Sequence, residues 1–474
     1  MFPLSFSGLQ NVNAMAIQDY NFFYWFLRPL VEFGTICHYN KVVVKGKENL
    51  PRDKGYILAP NHQQGLMEPL AVLATVHRAP VFLARADIFK QPAVAAALTF
   101  LKILPVYRIR DGKESLSKNT EIFEKSKQVV LDKHPLCLMA EGRHNNRHQL
   151  LPLVKGMFRI AGDTQNSMGE EPLYIIPCGI DFDDYERPFH NLCVNIGKPI
   201  PVQPFMETFR ENEPLALNQM RQTLAPAMMD LMHDIRSSQH YDEALALCHS
   251  LNTYVRRQQR LCNNSWNRFK VRQSIAHWFD ALEQQGGEPF ERLVERTNKY
   301  IGDCEKAGVR PEVEATQWNP LVLLLSTLAL AAVVASCVVC KPLLRVLLFC
   351  IACNPIPLLP THWIVNRKVA DTQFHSSFNF GIRFFLSIFY VIVFSIVMGC
   401  THGGCWGDML PGMGGFWWWL VAFDLPFLLA YLNGPIHTWL RRLWENWRLV
   451  FKLGNPSLKE ARRIRKDIES SWQG

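Results

Sequence analysis

The sequence predicts an α/β domain, a central mixed sheet flanked by helices, followed by a helical region and a C-terminal multi-span α-helical membrane region. Three observations predict it. Short β-branched runs alternate with helical stretches between Val42 and about Pro201, the order of an α/β domain. From Met206 to Gln317 long stretches of helical period take over, with few strand signals. Beyond them, Leu321 to Cys340 runs for about 20 residues without a charge, enough to span a hydrocarbon core. The expected divisions are an N-terminal interfacial membrane helix (1–38), the α/β domain (39–205), a helical connector (206–316), a transmembrane region of about four spans (317–440) and a basic cytoplasmic tail (441–474).

Taken in order, Tyr20 to Cys37 is rich in aromatic residues but contains Arg28, Pro29 and Glu32, so an interfacial helix fits it better than a span; a buried core helix is the other reading. Candidate strands follow at 41–45, 56–59, 81–85, 104–107, 136–139, 173–177 and 192–196. Helical stretches lie between them at 66–76, 93–102, 115–132 and 155–164. In the connector, 215–235 and 269–282 carry helical periodicity. There is no convincing repeat or low-complexity tract.

Three weaker apolar segments succeed the first span: 343–360, broken by Arg345, Asn354 and three prolines; 384–400; and 416–432, which opens on Trp417, Trp418 and Trp419 like an interfacial aromatic belt. The prolines leave 343–360 readable as a span or a re-entrant hairpin. Arg367, Lys368 and Arg383 mark one connection, nine Lys or Arg lie between Arg441 and Lys466, and the 401–415 connection has none. The positive-inside rule then places residues 1–316, the 361–383 loop and the C-terminus in the cytoplasm, with the expected setting a bacterial inner membrane. No secretory signal is expected, since no basic region precedes an apolar core and cleavage site.

Composition excludes several classes. With 474 residues, 48% hydrophobic and 20% charged, the chain is neither collagenous nor disordered nor a small disulfide-stapled scaffold. A net charge of +9 suits either nucleic acid or an anionic membrane face, and the apolar segments favour the membrane. The thirteen cysteines fall mostly in regions assigned to the cytoplasm, where disulfides are not expected. The spacings Cys337/Cys340 and Cys350/Cys353 lie inside apolar spans, where thiols act as small hydrophobes, so no metal is expected. Cys400 and Cys405 flank the loop expected outside and are a candidate pair.

The chemistry starts where the strand ending at Pro60 runs into Asn61-His62-Gln63-Gln64-Gly65-Leu66-Met67-Glu68-Pro69. If the loop closes, Glu68 accepts a hydrogen bond from the ring of His62, fixes its tautomer and raises the basicity of the other nitrogen, as a general base requires. Otherwise Glu68 is a first-turn acid and His62 a satisfied loop residue. Arg108 and Arg110 alternate at the end of the apolar strand Ile103 to Tyr107, so an extended backbone points both guanidinium groups one way, toward a phosphate. Glu141-Gly142-Arg143-His144 with Arg147 again follows a strand, and Lys155-Gly156 opens a helix whose N-terminus attracts anions. Each basic cluster alone also reads as a solvated surface patch. No Gly-x-Ser-x-Gly elbow, P-loop or HExxH motif occurs.

The ordered set NHQQGLMEP, ILPVYRIRDG, AEGRHNNR with LLPLVKG, and YIIPCGI resembles the four blocks of the glycerolipid acyltransferase family, the lysophosphatidic acid acyltransferase-like (PlsC-like) enzymes, over roughly residues 40–200. The resemblance implies that His62 is the general base and Glu68 its orienting carboxylate. It implies that Arg108 binds the acceptor phosphate, that Glu141 and Gly142 are the third block's Glu-Gly, that Arg143, His144 or Arg147 takes the phosphate there, with Arg110 and Lys155 also in the substrate phosphate site, and that Pro177 marks the fourth block. Two departures stand out. The common first block places Asp after four intervening residues, whereas here Glu follows five; the third block commonly reads Glu-Gly-Thr-Arg, and here Arg143 and His144 follow Gly142.

The implied activity is transfer of a fatty acyl group from acyl-CoA or acyl carrier protein to the hydroxyl of 1-acyl-glycerol 3-phosphate, with glycerol 3-phosphate or another lysolipid as alternative acceptor. No cofactor is expected beyond that co-substrate. The expected partners are membrane lipids and the lysophospholipid or glycerol phosphate acceptor, with no nucleic acid. A non-enzymatic lipid-binding or transport protein is the competing class, motivated by Arg345 and Asp424 in apolar segments.

Overall fold

The structure is a computed structural model that describes residues 16–107, 113–143, 145–185, 189–316, 318–340, 344, 347, 348, 350, 361–371, 374–400 and 415–472. Helix α1 (Phe22–His38) precedes β1 (Lys41–Lys45) and β2 (Tyr56–Pro60). Then come α2 (Met67–Leu73), β3 (Val81–Arg85), α3 (Pro92–Phe100), β4 (Ile103–Val106), α4 (Lys113–Leu131), β5 (Pro135–Cys137) and α5 (Lys155–Met168). Strands β6 (Tyr174–Phe182), β7 (Asn191–Ile196) and β8 (Ile200–Pro201) complete the sheet. Its order is β1-β7-β6-β2-β5-β3-β4, with β8 also on β6. The sheet is mixed, as expected: β2 runs parallel to β5 and β6, whereas β6 and β7 are antiparallel.

Both faces of this sheet are covered, which is why its central strands read as continuous apolar runs. Alternate residues of β2 serve opposite cores. Ile57 and Ala59 join Val81, Leu136 and Ile175 against α4 and α5, where Phe158 has no exposure at all. On the other face Leu58 joins Phe82, Ile176 and Val194 against α2, and Phe380 and Phe384 from a C-terminal helix complete that core. The C-terminal helical region therefore packs directly onto the sheet.

The connector contains α6 (Met206–Glu211), α7 (Glu213–Met229), α8 (Tyr241–Ser250), α9 (Asn252–Gln258), α10 (Ser265–Gln285), α11 (Glu288–Lys306) and α12 (Pro311–Ala315). Asparagine caps recur: Asn212 accepts from Leu215 N and Asn264 from Asn267 N, each satisfying an amide that the first helical turn leaves open. Helix α7 joins the sheet core through Leu217, Met220, Leu224 and Met228, while α8 to α11 build a core of their own.

The C-terminal region comprises α13 (Pro320–Val339), α14 (Thr361–Lys368), α15 (His375–Cys400), α16 (Gly415–Phe451) and α17 (Pro456–Ser471). Among the described residues one helix is long and apolar enough to cross a membrane, His375–Val397, and Pro320–Ser336 is a shorter apolar helix. The expected segment 343–360 lies almost wholly outside the described residues, as do the connection 401–414 and with it any pairing of Cys400 with Cys405. Helix α1 turns Phe22, Phe23, Trp25 and Phe26 outward, and buries Tyr24, Thr35, Cys37 and His38.

The boundary drawn at 440/441 falls inside α16, and the stretch expected as a tail is part of the helical core. Leu458, Ala461, Ile464 and Ile468 of α17 recur at helical spacing and are buried, the last three in the α8–α11 core. Arg465 Nε lies 2.7 Å from the wholly buried Glu314 carboxylate, which also accepts from Tyr300 Oη at 3.0 Å. A charge count conceals this stripe because basic residues fill the positions between its apolar ones.

Phe158→Ala should destabilise the protein by about 3–5 kcal/mol, the usual cost of emptying an aromatic core position. Chemical unfolding of the purified protein checks it; a loss below about 1 kcal/mol would show that the α5 face of the sheet is not a packed core.

Candidate active site

Strand β2 ends at Pro60, and the chain crosses the C-terminal edge of the sheet as residues 61–66 before α2 begins. Asn61 pins the start of this crossing to β6: its side chain donates to Ile180 O at 2.9 Å and accepts from Ile180 N at 2.6 Å. Gly65, at φ +63°, makes the left-handed turn that reverses the chain. Glu68 in the first turn of α2 then faces back under the loop. Its Oε1 accepts from Gln63 N at 2.7 Å and Gln64 N at 2.5 Å, and its Oε2 stands 3.4 Å from His62 Nδ1. The loop with five intervening residues therefore closes on a fully buried acid, while the imidazole retains some exposure. The ring therefore turns its Nδ1 toward the carboxylate.

The third block meets the first through Glu141. Residues 138–140 continue beside β2 after β5 ends, with Leu138 N donating to Leu58 O and Ala140 N to Pro60 O. Glu141 Oε1 accepts from His62 N at 2.7 Å, and its Oε2 accepts from Leu151 N at 2.7 Å. One buried carboxylate thus joins the His62 loop to the LLPLVKG segment. Burial pushes its pKa up to about 8, helped by Glu68 and Asp234 and opposed by the two N–H donors. Gly142 follows at φ +61°, where a Cβ would meet Val154 Cγ1 at 2.7 Å, so both backbone and space require glycine.

The other expected residues are less closely joined. Arg143, Arg147 and Lys155 are exposed, Arg147 lying over the Tyr241 ring and Lys155 opening α5. Arg108, Arg110 and His144 lie outside the described residues. Pro177 sits in β6 opposite Ala59 and accepts Gly197 N at its carbonyl.

Residues 41–181 match the family described as Acyltransferase. The chain carries an acyltransferase domain. That match covers the segment in which the four sequence blocks lie, and agrees with their glycerolipid acyltransferase resemblance. Among solved structures, the 1-acyl-sn-glycerophosphate (LPA) acyltransferase PlsC from Thermotoga maritima is similar at 19% identity and a TM-score of 0.31, over 44% of this chain and 80% of that one. No curated protein matches the chain.

Two sets of functional contacts were not anticipated. The first comes from α15: Ser377 Oγ donates to Gln64 O at 3.0 Å and accepts from Leu66 N at 3.1 Å, so the helix apolar enough to cross a membrane also splints the acyltransferase loop. Nothing in the sequence at position 377 signals this, because its partners lie 311 and 313 residues away. The second runs beside His62: Tyr185 Oη donates to Gln63 Oε1 at 2.5 Å and contacts His148 Nδ1 at 3.0 Å, and that nitrogen lies 3.5 Å from Asp181. His148, Asp181 and His233 offer ligand atoms within 4.8 Å of one another, a grouping able to approach a metal ion. Arg272 already holds Asp181 at 2.5 Å, however, and supplies the positive charge a cation would bring. Burial, with His148 and Arg272, also holds His233 well below the usual histidine range.

An apolar cavity of about 340 Å³ opens on the α1, α15 and α16 side. Phe26, Phe33, Phe384 and Phe427 line it, and so does His38, whose Nε2 lies 3.3 Å from Ser376 beside the splinting Ser377.

Two outcomes follow from these contacts. Ser377→Ala takes one donor from Gln64 O, which keeps Met67 N, and the acceptor from Leu66 N, so it should cost about 1–2 kcal/mol in thermal unfolding and lower turnover at saturating substrate. Unchanged turnover would separate α15 from the chemistry. For Glu141 the folded protein keeps its proton up to about pH 8, whereas an ordinary Glu releases it near 4.5. Between those values the unfolded chain binds fewer protons, so this group's contribution to stability falls as pH rises and levels off above about 8. The stability of wild type minus that of Glu141→Gln should therefore decline across this window; a flat difference curve would place the carboxyl in its ordinary range.

Proposed function

We propose that this acyltransferase is membrane-bound and moves a fatty acyl group from acyl-CoA or acyl carrier protein to the hydroxyl of 1-acyl-glycerol 3-phosphate in phospholipid biosynthesis. The observation that carries the proposal is the closure of His62 on Glu68 at 3.4 Å, at the sheet edge where Glu141 ties the first and third blocks together. His62 Nε2 takes the proton of the acceptor hydroxyl as its oxygen attacks the thioester carbon. When the tetrahedral intermediate collapses, the C–S bond breaks and the imidazolium returns the proton to the departing thiolate. Positioning and base catalysis carry the rate, with no covalent enzyme intermediate.

The amides of His62, Gln63 and Gln64 are taken by carboxylates and that of Leu66 by Ser377, so the donors for the oxyanion belong elsewhere. Arg108, Arg143 and Lys155 are the proposed phosphate ligands, whereas the Glu141 carboxylate serves the backbone. The aromatic cavity beside α15 suits a fatty acyl chain. Outward-facing apolar residues of α1, α13, α15 and α16 support seating in a bilayer with the α/β domain on the cytoplasmic side.

His62→Ala should lower acyl transfer to lysophosphatidic acid by at least about a hundredfold, the loss of a general base. The assay uses purified protein, acyl-CoA or acyl carrier protein as donor, and lysophosphatidic acid, glycerol 3-phosphate and a phosphate-free lysolipid as acceptors. Equal turnover in the variant would sink the mechanism, and preference for the phosphate-free acceptor would sink the substrate assignment.

A further inference from the structure

A second cavity, of about 470 Å³, lies on the same edge of the sheet, its floor spanning the strands one to three places from β2. Asn40, Asp183 and Asn191 form its floor at the ends of β1, β6 and β7. Helices α9 and α10 wall one side, and its rim includes Asn319 and Val322 at the start of α13 and Thr438 of α16. Neither His62 nor any residue of the first or third block lines it.

Its charge is unbalanced. Arg272 is held by Asp181, Arg310 faces Glu312 at 3.5 Å and Glu445 at 3.3 Å, and Asp183 accepts from Asn191 N at 2.7 Å. Five further arginines line the cavity: Arg256 and Arg257 from α9, Arg268 from α10, and Arg441 and Arg442 from α16. Among the described residues none of the five forms a salt bridge. Arg256 is only 7% exposed, and its Nε, like those of Arg268 and Arg441, has no hydrogen-bond partner among the described residues. Burial, with Arg268 and Arg257 beside it, lowers the pKa of Arg256; Asp183 offsets part of the charge of Arg268 and Asp184 also lines the cavity, so seven arginines there face four carboxylates. Leaving such charge buried is costly unless something negative enters.

The surroundings indicate the source of that anion. The cavity opens where α13 begins, and Leu321, Leu324, Leu325 and Leu328 turn 53–60% of their surface outward along that helix. A ligand with a phosphate at one end and hydrocarbon at the other matches both surfaces, and basic pockets between membrane helices on the cytoplasmic side are suited to anionic head groups. We propose that this cavity binds the phosphate head group of an anionic bilayer phospholipid, whose acyl chains lie along α13. The inference rests on the bilayer placement proposed above.

The test uses the full chain purified in neutral detergent, with retained lipid read by native mass spectrometry after addition of phosphatidylglycerol or phosphatidylcholine. Phosphatidylglycerol should be retained at least about fivefold over phosphatidylcholine, and the double variant R256Q/R441Q should lose at least about fivefold of that retention, as expected when charge-assisted phosphate contacts are removed. Equal retention of both lipids, or a folded double variant that keeps phosphatidylglycerol, overturns the proposal. Should that variant fail to fold, R268Q is read in its place by the same outcomes. Binding of inorganic phosphate or coenzyme A that phosphatidylglycerol does not displace would assign the cavity to a soluble phosphate and overturn the lipid. His62→Ala should retain phosphatidylglycerol as wild type does. Normal retention without acyl transfer by the wild type would defeat the proposed function and leave this inference standing.

Discussion

A carboxylate that is wholly inside the protein must find donors, and two such carboxylates organise this acyltransferase. Glu68 gathers the amides of Gln63 and Gln64 and faces the ring of His62; Glu141 gathers the amides of His62 and Leu151. Between them they hold every backbone N–H from His62 to Gln64, so the loop has little freedom to open without stranding buried charge. The elevated pKa of Glu141 eases the arrangement, because two adjacent buried acids need not both be ionised. Glu141 thereby fastens the His62 loop to the segment at Leu151.

The same loop is braced from outside the α/β domain. Ser377 joins it to α15, Phe380 and Phe384 enter the sheet core, and Arg28 of α1 caps α2 by donating to Leu73 O and Val76 O. The helices that present apolar surface therefore also hold the His62 loop in place.

Helix α17 shows how patterns of different kinds compete in a sequence. Its arginines and lysines, needed on the solvent side and to meet Glu314, outnumber the four residues that bury it. A charge count sees a tail; the spacing of Leu458, Ala461, Ile464 and Ile468 sees a core helix. The arginine-rich cavity is dispersed in the same way, its members drawn from α9, α10 and α16, so no local run announces it.

From the sequence alone came the strand and helix alternation of residues 41–196, the apolar C-terminal segments and the pairing of His62 with Glu68, because each depends on periodicity or on residues a few positions apart. Short-range spacing is a local property, and a strand buried on both faces or a loop leading into a helix can express it without help. Tertiary structure alone decided that the longer loop closes, that Glu141 spans two blocks, that Ser377 reaches back across 313 residues to Gln64, and that Tyr185, His148 and Asp181 line up beside the His62 loop. Those contacts depend on which elements share a sheet edge. That is set by the packing of the whole chain, and no local spacing encodes it.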